Sequence, residues 1–178
     1  MNRKRLITYL VISLLILIGG SAWVISLRNG LVIPGKTNAL YSLETAWTKE
    51  RVSEVLSLWQ DRLDLVWKLN TIDFIIPVAY TAFFYFSICL LAQVFPALYG
   101  KNKKWWLIIS FLPGVFDLIE GIAAYIWLSG HIDNILPWLV GLLSSIKFII
   151  AIPLGLFIII SLIVATIKKP RKLPGSNY

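Results

Sequence analysis

Four long apolar blocks govern what this chain can become. They cover residues 6–27, 72–95, 105–128 and 137–167, and the shortest has 22 residues. At about 1.5 Å per residue, a helix of that length bridges a hydrocarbon layer of about 30 Å. Lipid offers no water to backbone N–H and C=O groups, so such segments cross as helices, which satisfy those groups internally. The expected fold class is all-α: a polytopic membrane protein built as a four-transmembrane-helix bundle. The 178 residues suffice for one membrane domain and not for several.

The charges agree with that layout. Only 15% of residues are charged and 58% are hydrophobic, where a soluble domain carries about 25% charged residues. The net charge is +8, and ten of the seventeen Lys and Arg fall in three runs without acids. These are Arg3, Lys4 and Arg5; Lys101, Lys103 and Lys104; and Lys168, Lys169, Arg171 and Lys172. Each run flanks an apolar block. They read as cytoplasmic flanks that meet anionic lipid headgroups, with membrane lipid as the expected partner. The expected location is the plasma (inner) membrane, with both termini cytoplasmic. Nucleic acid is excluded as a partner, because the aromatic residues sit in the apolar blocks rather than among the basic ones.

The first block also fits the start of a cleavable signal, with Arg3 to Arg5, an apolar run and the small residues Gly20 and Ala22. The apolar run continues through Trp23, Val24, Ile25 and Leu27, which favours an uncleaved anchor. Residues 28–70 carry six basic and five acidic residues and so lack the positive bias of the cytoplasmic runs. Pro34 and Gly35 break this segment early. From Thr48, a plausible N-cap, Val52, Val55, Leu56, Trp59, Leu63, Val66 and Trp67 recur at helical spacing among charged residues. This predicts an external amphipathic helix, or two, lying on the membrane interface or on the other spans. Trp47, Trp59 and Trp67 are expected to dip into the headgroup layer, and Trp23, Trp105, Trp106, Trp127 and Trp138 to anchor the span ends. The fourth block is too long for an upright span and must tilt, bend at Pro153 or begin in the interface near Trp138. The tail, residues 168–178, is polar and expected to be mobile.

Ionisable residues inside the blocks are the functional lead. Asp117 and Glu120 lie in the third block, Lys147 in the fourth, and Asp73 at the start of the second. An isolated charge at the bilayer centre costs at least about 2.5–3.5 kcal/mol, so such groups pair, face the bundle interior or contact water. Asp117 and Glu120 are three apart and share a helix face. Ser110, Gly114, Gly121 and Ala124 fall on or near that face, and small residues admit a neighbouring helix. Ser144 and Ala151 share the face of Lys147. Counting from Lys104 puts Asp117 and Glu120 roughly 20 and 24 Å from the inner boundary. The expected site, formed by Asp117, Glu120, Lys147, Asp73 and Ser144, therefore opens outward. Pro77, Pro113 and Pro153 lie near these charges, and each frees the carbonyl four residues before it. The plain structural alternative is an ion pair that only fixes helix packing. Two acids against one base favour more than that, because a packing pair needs one acid.

Little else in the sequence carries chemistry. Cys89 stands alone, so no internal disulfide or cysteine-based metal site forms. His131, the single histidine, lies in the short turn after the third block with Asp133 and Asn134 and reads as exposed. No metal-ligand spacing, nucleophile motif, phosphate loop or dinucleotide fingerprint is present, which implies no cofactor and argues against an enzyme. The four-span layout with an intramembrane carboxyl loosely resembles the small multidrug-resistance transporters. Those are shorter and carry their acid in the first span, where this chain has none. It is similar too to sterol-isomerase-like four-span proteins, whose histidine and acid pattern it does not match. Neither likeness transfers a residue role.

Three functions compete. The first is an outward-facing site that binds or transports a cation, a proton or an amphiphilic small molecule. The second is a non-catalytic envelope protein whose external amphipathic helix docks a membrane protein partner or a second copy, with the charges serving packing alone. A lipid-active enzyme ranks last, since acid–base catalysis needs a placed substrate group.

Overall fold

The computed structural model of the protein describes residues 1–31 and 39–167. The break at Pro34 and Gly35 and the tail from Lys168 lie outside the described residues. The described chain is all-helical, and four of its helical stretches are long and apolar enough to cross a membrane. They are α1 (Arg3–Arg28), a stretch from Gln60 to Val94, α6 (Lys103–Leu128) and α7 (Leu136–Ile167).

The second stretch is not one straight helix. It contains a 3-10 turn (Gln60–Arg62), α4 (Leu63–Asp73) and α5 (Ile75–Val94), with a break at Phe74. Pro77 accounts for the break. Proline has no N–H to give the carbonyl four residues back, which belongs to Asp73. Pro77 thus sits in the first turn of α5, where a missing donor costs nothing, rather than in a helix interior. Pro113 and Pro153 do lie inside α6 and α7, and α7 runs unbroken through Pro153 from a start beside Trp138.

Capping fixes the short connection between α6 and α7. Gly130 has φ +87°, and the N–H groups of Gly130 and His131 return to the carbonyls of Trp127 and Ile126 at 2.9 and 3.2 Å. That is the Schellman pattern, which needs a left-handed residue after the last turn. Asp133 Oδ1 then accepts from the N–H groups of Ile135 and Leu136 at 2.8 and 2.7 Å, closing the start of α7. His131 is exposed.

The four long stretches alternate in direction. Gln93 Nε2 donates to the Met1 carbonyl at 3.1 Å, so α5 ends where α1 begins. The Tyr99 and Ser161 hydroxyls meet at 2.8 Å, so the last turns of α7 reach the same end. Here Phe83, Phe84, Ile88, Leu91, Leu154 and Ile158 form one apolar core. A second core at the opposite end joins Ala123, Ala124, Trp127 and Val140 to the connecting segment.

That segment contains α2 (Ala39–Glu44) and α3 (Lys49–Ser57). Thr48 caps α3 as expected, its hydroxyl accepting from Arg51 N–H at 3.3 Å. The helix turns Val52 and Val55 into the core and leaves Glu50, Arg51 and Glu54 exposed. Two tryptophan expectations fail here. Trp59 and Trp127 are each 2% exposed and belong to the core rather than to any headgroup layer. In both cases, covering a large apolar ring inside the chain displaces more water than resting it on an interface. Trp23, Trp105 and Trp138 do stay exposed. Trp47 is partly exposed, with one ring edge against Gly141, and Trp67 packs on Tyr125.

Candidate functional site

Six charged side chains converge between the two apolar cores. Asp117 and Glu120 come from the middle of α6 and Lys147 from α7. The other three end their helices: Arg28 closes α1, Glu44 closes α2 and Asp73 closes α4. Helix ends bring these three charges here, Asp73 at the break between α4 and α5, while α6 and α7 pass through this level.

Lys147 is the hub. Its Nζ donates to Asp117 Oδ1 at 2.5 Å and to Glu120 Oε2 at 2.6 Å, and Glu44 Oε2 lies 3.9 Å away. The spacing of three on α6 makes the double contact possible, since it stacks both carboxyls on one face. Tyr80 of α5 donates to the other Asp117 oxygen at 2.7 Å. Thus α5, α6 and α7 are tied by one hydrogen-bonded chain. The small residues on α6 serve close approach as expected: Gly114 lies against Thr81 and Pro77, and Gly121 against the Phe74 ring. Asn70 Nδ2 donates to the Gly121 carbonyl at 3.1 Å, joining α4 to α6 behind the cluster.

The pairing is incomplete. Glu120 is 5% exposed, and its Oε1 has no hydrogen-bond partner among the described residues. Ser144 Oγ and Trp127 Nε1 are buried and unpartnered too. An unsatisfied buried polar atom costs about 1–3 kcal/mol, so each calls for a guest or a water. Four carboxyls face two bases, a formal surplus of two negative charges. Burial holds the Glu44 carboxyl above the ordinary carboxylate range, against the pull of Lys147.

The cluster borders open space. A cleft of about 350 Å³ is lined by Arg28, Glu44, Asp73, Tyr80, Asp117, Lys147, Phe148 and Ala151. A pocket of about 30 Å³ adjoins Glu44, Asp73, Asp117, Glu120 and Trp127, large enough for a water. Asp73 lines both, as well as a third pocket with Asn70 and Pro77. Pro77 borders the third of these pockets. Among the described residues, no group of three or more His, Cys, Asp or Glu is arranged to hold a metal ion. The geometric reason is plain: the Lys147 ammonium occupies the point where the carboxylates converge.

Of the five expected site residues, Asp117, Glu120 and Lys147 meet directly, and Asp73 lines the same cleft. Ser144 is buried one turn from Lys147 and bonds none of them among the described residues. Sequence reasoning missed Arg28, Glu44, Tyr80 and Asn70. Tyr80 had a signal, since it lies two turns beyond Asp73 in the same apolar block. Glu44 had none, because nothing local in the connecting segment reveals that it folds inward.

The chain matches no protein-family model, no curated protein and no solved structure.

Proposed function

We propose that this chain is a multi-pass protein of the plasma (inner) membrane whose intramembrane polar cleft binds or transports a cation. One observation carries the reading: three carboxyls and two bases line an open cleft, and in the small pocket that adjoins it a fourth carboxyl, the buried Glu120, has an oxygen left without a donor. A positively charged guest answers both deficits, the surplus charge and the missing hydrogen-bond donor. A structural ion pair would need one carboxyl per base and no opening. Docking of a partner through the connecting segment has less support, because Val52, Val55 and Trp59 already pack inside the chain.

Binding should depend on the acids. Each hydrogen bond to a charged group contributes about 1.5–3 kcal/mol, so Glu120→Gln and Asp117→Asn should each weaken organic-ammonium binding about ten- to a hundredfold. Calorimetric titration of the purified protein with ammonium ions of increasing chain length measures this. Protons compete for the same oxygens, so binding should also weaken as the pH falls. Titrations that coincide for the native chain and both variants would remove the proposal.

The orientation belongs to the same reading. The lysines at 101, 103 and 104 support a cytoplasmic α5–α6 connection and an external α6–α7 turn. Single cysteines at positions 102 and 134, in a Cys89→Ala background, test it. A membrane-impermeant maleimide added to intact cells should label position 134 and spare 102; the reverse pattern would invert the topology.

A further inference from the structure

We infer that the guest is a lipophilic amine, an amphiphile with a primary ammonium head, which enters sideways from the lipid between α1 and α7. This rests on the cation-site reading above and narrows it to one class of ligand.

The shape of the cleft carries the argument. Helix α1 packs on α4 and α5, while α7 packs on α5 and α6, so α1 and α7 stand on either side of α5. The cleft uses the last residue of α1 as one wall and Lys147, Phe148 and Ala151 of α7 as the other. Tyr80 and Asp117 form its floor. Phe148 is exposed at the cleft, and its neighbours Ile149 and Ile152 are 71% and 57% exposed on the bundle perimeter. On the opposite wall, Trp23 and Ile25 of α1 are exposed in the same way. The polar cleft therefore opens onto a surface that is apolar on both sides. A soluble ion would meet a hydrocarbon rim there; a ligand with a tail would meet its own solvent.

The head is specified by the groups inside. The Glu120 Oε1 acceptor, in the small pocket that adjoins the cleft, lacks a donor, and Asp73, which lines both, makes no ion pair with Lys147 among the described residues. A primary ammonium has three donors and can serve such oxygens. The Trp127 Nε1 donor, also unpartnered, shows that the adjoining small pocket is polar on two sides and suited to a water beside the head. The Tyr80 ring adds an aromatic surface to the cleft, while the Phe148 ring already carries the Lys147 ammonium 4.8 Å from its centroid. An amine therefore suits the interior and an alkyl chain suits the rim.

The test uses the full chain in phosphatidylcholine vesicles, with a dodecylammonium probe carrying a photoactivatable group at mid-tail. Labelling should fall on residues near 23–28 of α1 and 148–152 of α7. After correction for partitioning into lipid, dodecylammonium should compete at least about tenfold better than ethylammonium. Ala151→Trp, which fills the cleft, should lower competition by dodecylammonium about tenfold or more. Equal competition by the two amines would overturn the amphiphile and leave the cation site standing. So would labelling of the separate apolar groove between α5 and α6, lined by Thr81, Tyr85 and Phe111. If neither amine binds, both this inference and the cation-site reading fall.

Discussion

Replacing Lys147 with methionine is expected to destabilise the protein by about 3–5 kcal/mol, the largest effect of any single substitution at the site. The magnitude follows from what is left behind. Lys147 Nζ bonds Asp117 and Glu120 and lies near Glu44, and its side chain is 6% exposed. Methionine fills nearly the same volume, so cavity formation contributes little and lost compensation dominates. Four carboxyls would remain in the cluster with only Arg28 to offset them. They relieve the repulsion by taking up protons, which fixes the sign of the pH dependence. The variant should be weakest at alkaline pH and recover as the medium becomes acidic, whereas binding of a cation by the native chain runs the other way. Denaturant titration in mixed micelles at several pH values measures both. The triple variant Lys147→Met, Asp117→Asn, Glu120→Gln should recover much of the loss, because the uncompensated charge is then gone. If Lys147→Met alone unfolds at the native midpoint at alkaline pH, the contacts of Lys147 do not hold α6 to α7.

The long helices follow from apolar length alone, which requires no knowledge of packing. The pairing of Asp117 and Glu120 with Lys147 followed from the cost of burying charge, and the helical spacing of three supplied the geometry. The break at Phe74 was also encoded, in the missing N–H of Pro77, but a continuous apolar block concealed it. Glu44 and Arg28 were not legible. Glu44 reaches the cluster because α2 and α3 pack against the core around Ala123, Trp127 and Val140, and Arg28 because α1 ends at this level, tertiary events without local pattern. Trp59 failed for a related reason: a tryptophan in an amphipathic stretch carries the same sequence signal whether its ring rests on lipid or is buried in a protein core, as here. Periodicity says which face is apolar and not what covers it.

The second large effect is expected at Gly114, where α5 and α6 come closest to the site. A Cβ built at this position overlaps Thr81 Oγ1 and lies 3.3 Å from both Thr81 Cβ and the Pro77 carbonyl oxygen. The hydroxyl can rotate away, but the carbonyl belongs to the first turn of α5 and cannot. Alanine at 114 gains about 1 kcal/mol of helix propensity over glycine, which opposes the strain, so Gly114→Ala should be nearly neutral or mildly destabilising. Leucine has no such escape. Overpacking of a close contact costs about 1–3 kcal/mol, and Gly114→Leu should reach the upper end of that range. The consequence for the site is specific, because Tyr80 precedes Thr81 and Asp117 lies three residues beyond Gly114. Forcing α5 from α6 stretches the 2.7 Å bond from Tyr80 to Asp117. Ammonium binding should therefore fall with stability in Gly114→Leu. Adding Thr81→Ala to Gly114→Leu removes the overlapping hydroxyl and should recover part of both, a non-additive result that marks direct contact. Thermal unfolding and ammonium titration on the same samples provide the readout. If Gly114→Leu melts and binds as the native chain does, the two helices do not meet at this glycine, and the site does not depend on their approach.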